Sequence, residues 1–354
     1  MSDHDAIYPE DRVSAQTSLA PLCFRILLMS ALAPVFCPGC SDPDPAFAGT
    51  GNRARTATYL SVSAPGAEPS GIRSLDLFFY NDDKLQRLDA YQRMEGSVLT
   101  AAVGASRSGN KILAVLANQP PESYDWASAG SLEALRSQSL RLKEEDPAHP
   151  RMSALLPVRA GTPAPVTLLS PLARIEVSSL RCDFSERTYR DEVLRDVRIY
   201  LTNVNAGFPL LCDTVPPPRE ILHAGRLKPA DLADFQHPGM LVDTLPQPVG
   251  LQPCHPGTVL YCYPNAVAET GPGAPPTRLV VEGKLQGKVC YYPLDIGRTP
   301  DSDAAVLPGR TYRYDLTFTR RGSDDPEDSL EPGAVLSTLN VIPWTDRGET
   351  VIPF

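Results

Sequence analysis

The clearest pattern along the chain is a short-range alternation of apolar and polar residues, the period of a half-buried β-strand. It is cleanest at residues 311–319, where one face would carry Tyr312, Tyr314, Leu316 and Phe318. Other segments alternate in the same way or are apolar on both faces, as central sandwich strands are. They predict strands at residues 57–63, 72–80, 111–118, 174–180, 195–203, 259–263, 278–282, 288–294, 335–344 and 349–354.

Helical periodicity is convincing at one place. Ser131 is a favourable N-cap, Glu133 would lie in the first turn, and Leu132 and Leu142 fall near one face. We therefore predict a helix from Ser131 that ends before Lys143. The 37 prolines, about twice the usual share, favour turns and strand edges over helices.

The pattern as a whole predicts an all-β fold: two tandem antiparallel β-sandwich domains with one short helix. The alternation stops at the proline-rich residues 214–218 and resumes near residue 259. A division at this break gives an N-terminal domain at residues 57–212 and a C-terminal domain at residues 213–354.

An apolar run at residues 26–36 follows Arg25 and ends in Gly39-Cys40, after which the sequence becomes polar. The run is too short to span a membrane as a helix and has the length of a signal-peptide core. Gly-Cys followed by Ser-Asp resembles a bacterial lipobox, in which Cys40 would carry diacylglycerol. We therefore interpret residues 1–40 as a lipoprotein signal peptide and residues 41–56 as a tether.

Two other interpretations of this stretch stay open. The signal could be an ordinary secretory one that is cleaved elsewhere, and Cys37 with Cys40 spells the redox pattern C-x-x-C. Residues 1–24 are long and acidic for the start of a signal peptide, so translation that begins nearer Leu22 is a further hypothesis.

Composition and motifs restrict the function classes. The net charge of −9 argues against a nucleic-acid partner. The sequence has no phosphate loop, dinucleotide fingerprint, serine-hydrolase elbow or zinc-helix motif, so we predict no enzyme, no cofactor and no metal site. The acidic residues 324–331 lack EF-hand spacing and are interpreted as a solvated turn.

The aromatic and cysteine residues are assigned to packing rather than to chemistry. Tyr291, Tyr292, Tyr312 and Tyr314 could stack on a sugar, but their period-two spacing favours core packing. Beyond Cys40 there are five cysteines, at 182, 212, 254, 262 and 290, which we interpret mainly as reduced core residues. A pair between Cys254 and Cys262 stays open.

Several segments together resemble the fimbrillin family, the subunits and anchors of type V pili on Gram-negative anaerobes. They occur in family order over nearly the whole mature chain: the lipobox at Cys40, residues 72–80 with their Asp turn, residues 114–118, Met152-Ser153, residues 172–177, residues 197–203, Tyr312-x-Tyr314 leading into residues 322–326, Val341-x-Pro343-Trp344, and Phe354.

This resemblance implies transthyretin-like sandwich domains, export to the outer membrane as a surface lipoprotein, and assembly into or at the base or tip of a fimbria. In subunits of this family an Arg-specific protease removes the lipid and the first strand, and a neighbouring subunit's strand fills the groove by β-strand addition. The first strand here would be residues 57–63. Residues 65–71 contain no Arg, and the nearest candidates are Arg53, Arg55 and Arg73.

The missing Arg favours an uncleaved, lipid-held anchor or accessory subunit, whose partners would be other fimbrial subunits, the outer membrane and a surface ligand. An alternative function is an outer-membrane lipoprotein that binds glycans, which would need an exposed aromatic platform. A surface hydrolase would need carboxylates that converge in a cleft.

Overall fold

The computed structural model describes residues 54–65, 71–96, 99–120, 128–212, 215–266, 275–298 and 305–344. The strands of the N-terminal half are β1 (Arg55–Ser63), β2 (Ser74–Asn81), β3 (Leu88–Glu95), β4 (Ala101–Arg107), β5 (Asn110–Ala117), β6 (Ser139–Arg141), β7 (Met152–Arg159) and β8 (Ala164–Thr167). Those that follow are β9 (Ala173–Cys182), β10 (Arg195–Thr202), β11 (Val204–Asn205), β12 (Gly207–Pro209), β13 (Ile221–Leu222), β14 (Val242–Thr244), β15 (Thr258–Cys262), β16 (Arg278–Leu285), β17 (Lys288–Asp295), β18 (Arg310–Phe318) and β19 (Val335–Pro343). The predicted all-β fold is confirmed.

The first sandwich packs a three-stranded sheet, in the order β4-β1-β8, on a four-stranded sheet, in the order β3-β2-β5-β7. Side chains from both sheets meet in one buried cluster: Leu60 and Val62 come from the first sheet, and Leu75, Leu77 and Phe79 come from the second. The period-two prediction for β2 is therefore correct for this face.

The other face of β2 is buried as well. Phe78 and Tyr80 point away from the first cluster into a second core, and the Tyr80 hydroxyl donates to the carbonyl of Ala129 at 3.1 Å. Burial on both faces explains why residues 77–80 of β2 are apolar without interruption.

The predicted helix exists but is shorter than expected. α1 (Leu132–Arg136) begins after Ser131, whose side chain accepts from the amide of Ala134, and it buries Leu132 and Leu135 against the outer face of β2. The prediction that it continues to Leu142 is wrong, because the chain turns extended as β6 and pairs with β12. Leu142 is buried from a 3-10 turn instead.

The second sandwich packs the sheet β14-β10-β16-β17 on the sheet β15-β9-β18-β19. Tyr292 of the first sheet stacks on Phe318 of the second with ring centroids 3.8 Å apart. Tyr312 and Tyr314 are buried in the same core, as predicted. Two pairings, β1 with β8 and β9 with β18, are parallel, so the predicted purely antiparallel sheets need this correction.

Strand order along the chain does not decide which sandwich a strand joins. β9 and β10 precede the predicted division at residue 212, yet they hydrogen-bond with strands that follow it. Conversely, β12 returns to pair with β6. The hydroxyl of Tyr263 donates to the buried carboxylate of Glu145 at 2.6 Å and so links the later strands to the residues before β7. Burial raises the pKa of Glu145.

Cys182, Cys254, Cys262 and Cys290 are free thiols, so Cys254 and Cys262 do not form the disulfide left open above. No helix in the described ranges is long and apolar enough to cross a bilayer.

Gly104 sets the closeness of the two sheets in the first sandwich. A Cβ at this position in β4 would lie 2.5 Å from two ring carbons of Phe79 across the core. A residue without a side chain is needed there because real Cβ contacts are longer.

We expect Gly104→Ala to destabilise the protein by about 1–3 kcal/mol, the usual cost of overpacking a core. Urea denaturation followed by circular dichroism measures the change. Gly239→Ala is the matched control, since no atom would lie within 4 Å of its new Cβ. Equal midpoints for the two variants would contradict the packing argument.

His223 is a fully buried imidazole in the second core. Its Nδ1 donates to the carbonyl of Leu201 at 2.9 Å, and its Nε2 has no hydrogen-bond partner. Burial lowers the pKa of His223, so the folded protein holds it neutral.

The unfolded chain binds a proton at His223 more readily than the folded chain does. The contribution of His223 to the free energy of unfolding is therefore complete above pH about 6.5 and is lost as the pH is lowered. We expect His223→Asn to flatten this fall in the urea midpoint between pH 8 and pH 5, since Asn tolerates the residue's positive φ of 50°. His255→Asn, at an exposed histidine, is the control and keeps the wild-type slope.

Candidate functional site at the first strand

The predicted removable strand is the central strand of its sheet. β1 pairs antiparallel with β4 from Arg55 to Ser61 and parallel with β8 from Leu60 to Ser63. Hydrogen bonds from both neighbours therefore hold it. If β1 left, it would leave a gap in the middle of a sheet with unpaired backbone groups on both sides.

The inward side chains of β1 fill the core of the first sandwich. Thr58, Leu60 and Val62 are 0%, 3% and 5% exposed, and the residues between them face outward, with Tyr59 at 61%. Burial of Leu60 and Val62 contributes about 1.5–3 kcal/mol for each side chain. The alternate residues of β1 thus occupy an apolar groove between β4 and β8, the arrangement that β-strand addition requires.

Hydrogen bonds beyond the ladder fix the register of β1. The amide of Val62 donates to the carbonyl of Thr100 at 2.8 Å, and the amide of Leu168 donates to the carbonyl of Ser63 at 2.8 Å. The Thr58 hydroxyl accepts from the amide of Gly161 at 3.0 Å. These contacts matter because a slip by one residue would turn the apolar side chains to solvent.

The candidate processing residues lie in different surroundings. Cys40 and Arg53 fall outside the described residues. Arg55 is exposed at the start of β1, and Arg73 is exposed just before β2. Cleavage after Arg55 would leave β1 in place, whereas cleavage after Arg73 would separate β1 from β2.

The backbone of Arg73 is held on both sides. Its amide donates to Oδ1 of Asn118 at 2.8 Å, and its carbonyl accepts from the amide of Gly96 at 3.0 Å. Asn118 has a positive φ of 59°, and its Nδ2 donates to the carbonyls of Gly71 and Pro150. One side chain therefore holds the backbone at Gly71 and Arg73, just before β2.

Sequence patterns missed both β4 and β8, the strands that flank β1. β4 is made of small residues, and β8 has only four residues, one of them Pro165, so neither has a recognisable period. Asn118 was predicted only as the end of an apolar strand. The residue type was the available signal, because Asn tolerates a left-handed backbone better than most residues.

The other groups considered from the sequence have structural partners. In the acidic segment, Asp324 pairs with Arg321, Asp325 and Glu327 with Arg226, and Glu331 with Arg320. Within the described ranges, no group of three or more His, Cys, Asp or Glu residues is placed to hold a metal ion. Tyr292, Tyr312 and Tyr314 are buried and offer no exposed platform.

No family model matches the sequence, and no curated protein matches it. Solved structures do. A candidate cell adhesion protein from Bacteroides eggerthii superposes with a TM-score of 0.62 at 16% identity, over 82% of this chain and 97% of that one. A fimbrilin (fimA) from Porphyromonas gingivalis has a TM-score of 0.58 at 14% identity, over 81% and 97% of the two chains.

A further solved structure is the tip fimbrial protein Mfa3 from Porphyromonas gingivalis with a C-terminal truncation. Its TM-score is 0.50 at 15% identity, and the match covers 81% of this chain and all of that one. At these identities the likeness concerns the fold. The resemblance to fimbrillins that the sequence predicted is confirmed at that level.

We expect Asn118→Gly to expose Arg73 to an Arg-specific protease. Gly keeps the positive φ but removes three hydrogen bonds, and each contributes about 1 kcal/mol. Because native-state proteolysis follows the open population, cleavage after Arg73 should become about 10- to 100-fold faster. Timed digestion with mass spectrometry measures this rate.

The double variant Asn118→Gly with Arg73→Lys is the control, since it keeps the loosened segment but removes the Arg. It should give no new fragment. An unchanged cleavage rate in the single variant would show that Asn118 does not protect this bond.

Proposed function

We propose that this protein is a non-enzymatic fimbrial component of the cell surface, held in the outer membrane by lipid on Cys40. It acts as an anchor, tip or accessory subunit through association with other fimbrial subunits. The observation that carries the proposal is the seating of β1 in the middle of its sheet, over a groove of alternating apolar pockets. Fimbrial solved structures with the same fold support it.

The contacts of β1 favour a role in which the strand stays in place. The groove is filled by the chain's own Leu60 and Val62, so a neighbour's strand can enter only after β1 leaves. Departure needs a cut between β1 and β2, and residues 65–71 hold no Arg. The first Arg beyond that loop, Arg73, is fixed by Asn118 and Gly96.

An intact protein of this kind still has a means of association. β3, β14, β15 and β19 are outer strands of their sheets in the described part of the chain. β7 and β17 are outer strands as well, but their edges are partly paired through Ser153 with Leu169 and Tyr291 with Ser323. An outer strand has unpaired backbone groups that can accept a strand from another subunit. An anchor or tip needs such an acceptor, whereas a stalk subunit also needs its own groove open.

The N-terminus of the protein isolated from native outer membranes tests the proposal directly. We expect mass spectrometry to find an acylated Cys40 as the first residue and an intact chain beyond it. A new N-terminus after Arg53 or Arg55 would mean that the lipid is removed while β1 stays. A new N-terminus after Arg73 would overturn the anchor role, since it means an open groove and a polymerising subunit.

A pair of cysteine variants tests the lipid assignment separately. Cys40→Ser should abolish palmitate labelling and move the protein from the membrane to the soluble fraction. The reason is that the acyl chains proposed to anchor the protein would have no residue to be attached to. Cys37→Ser, three residues earlier in the same C-x-x-C, should leave both unchanged. Equal effects of the two substitutions would support a paired role for the cysteines instead.

A further inference from the structure

A polar cleft lies at one end of the four-stranded sheet of the first sandwich. Its volume is about 470 Å³, within the range of about 300 to 1,000 Å³ for small-molecule sites. The walls come from the start of β2, the ends of β3 and β5, and the segment at residues 144–151. None of the residues that line the cleft belongs to β1, so the cleft is separate from the groove that β1 occupies.

Hydrogen bonds and an ion pair hold two of the cleft's arginines in place. Nη1 of Arg93 pairs with the buried carboxylate of Asp76 at 2.9 Å, and its Nη2 donates to the carbonyl of Gln119 at 3.0 Å. Nη2 of Arg151 donates to the carbonyl of Glu144 at 3.3 Å, and the side chain is 8% exposed. Groups fixed in this way lose little conformational freedom when a ligand binds.

Two hydrogen-bond donors of the wall have no partner among the described residues. Gln119 is 3% exposed, and its Nε2 makes no hydrogen bond. A buried donor without a partner costs free energy, which a ligand acceptor would recover. The exposed Arg73 also lines the cleft and makes no ion pair with any described residue.

The wall of the cleft also carries hydrogen-bond acceptors. The carboxylates of Glu144 and Asp146 line the cleft and are 42% and 39% exposed. Hydrogen bonds from the amide of Ala148 and from Nδ1 of His149, both at 2.9 Å, orient Asp146. The wall thus presents donors and ionised acceptors together, which suits a ligand whose groups both donate and accept.

The formal charges of the lining balance. Three arginines, at 73, 93 and 151, face three carboxylates, at 95, 144 and 146. A strongly charged ligand would meet as much repulsion as attraction. Hydroxyl groups are neutral, and each can donate and accept at once.

We propose that this cleft binds a neutral carbohydrate of one or two sugar rings through its hydroxyl groups. The Arg73 guanidinium donates to ring hydroxyl oxygens, and Glu144 and Asp146 accept from hydroxyl hydrogens. Gln119 Nε2, which is buried behind the wall, donates once its side chain turns into the cleft. No stacked aromatic ring is required, so this site differs from the aromatic platform considered in the sequence. The proposal stands independently of the fimbrial role.

Saturation-transfer NMR on the intact mature chain tests it with glucose, galactose, mannose and N-acetylglucosamine, beside glucuronate and N-acetylneuraminate. We expect at least one neutral sugar to bind. Arg73→Gln should raise the Kd of that sugar about tenfold, because a charged donor is lost. Arg159→Gln changes an exposed arginine at the far end of β7 and should leave the Kd unchanged.

Gln119→Leu is the second variant and should also weaken binding, provided that circular dichroism shows a folded chain. Arg73 is exposed, so its variant keeps the test valid if Gln119→Leu fails to fold. Binding of acidic sugars alone, binding of no sugar in the panel, or an unchanged Kd in Arg73→Gln would each overturn the proposal.

Discussion

The seating of β1 between β4 and β8 is the constraint on which the first sandwich depends. Leu60 and Val62 close the core over Phe79 and Leu77, and the backbone of β1 satisfies hydrogen-bonding groups on both flanking strands. A central strand contributes backbone hydrogen bonds on both edges and buried side chains on one face. Its loss would therefore open the sheet and the core at the same time.

Control of β1 lies in the short connection that follows it. The connection is tied down at its far end by Asn118, which bonds the backbone at Gly71, Arg73 and Pro150. A single half-buried amide thus couples the end of β5 to the residues that precede β2 and β7. A protease needs several residues of extended chain, so the accessibility of Arg73 follows from the stability of this network rather than from the exposure of its side chain.

The two halves of the described chain share packing and are not independent blocks. The second core includes Phe78 and Tyr80 from β2 together with residues of the later sheets. Phe208, on a strand that returns to β6, lies with its ring centroid 5.8 Å from that of Tyr263.

The sequence by itself determined the strands with a strong period, such as those around Tyr314 and Leu77, the N-cap at Ser131, and the all-β class, because side-chain burial imposes that period locally. It also predicted the resemblance to fimbrillins. It missed β4 and β8, whose small or few residues carry no period, and it extended the helix to Leu142 because a buried leucine fits a 3-10 turn equally well. Only the tertiary structure decided that β1 is central, that β9 joins the later strands, and that Asn118 and Gln119 meet arginines in one cleft. These outcomes depend on pairings between residues far apart in the chain, and no local pattern encodes such partners.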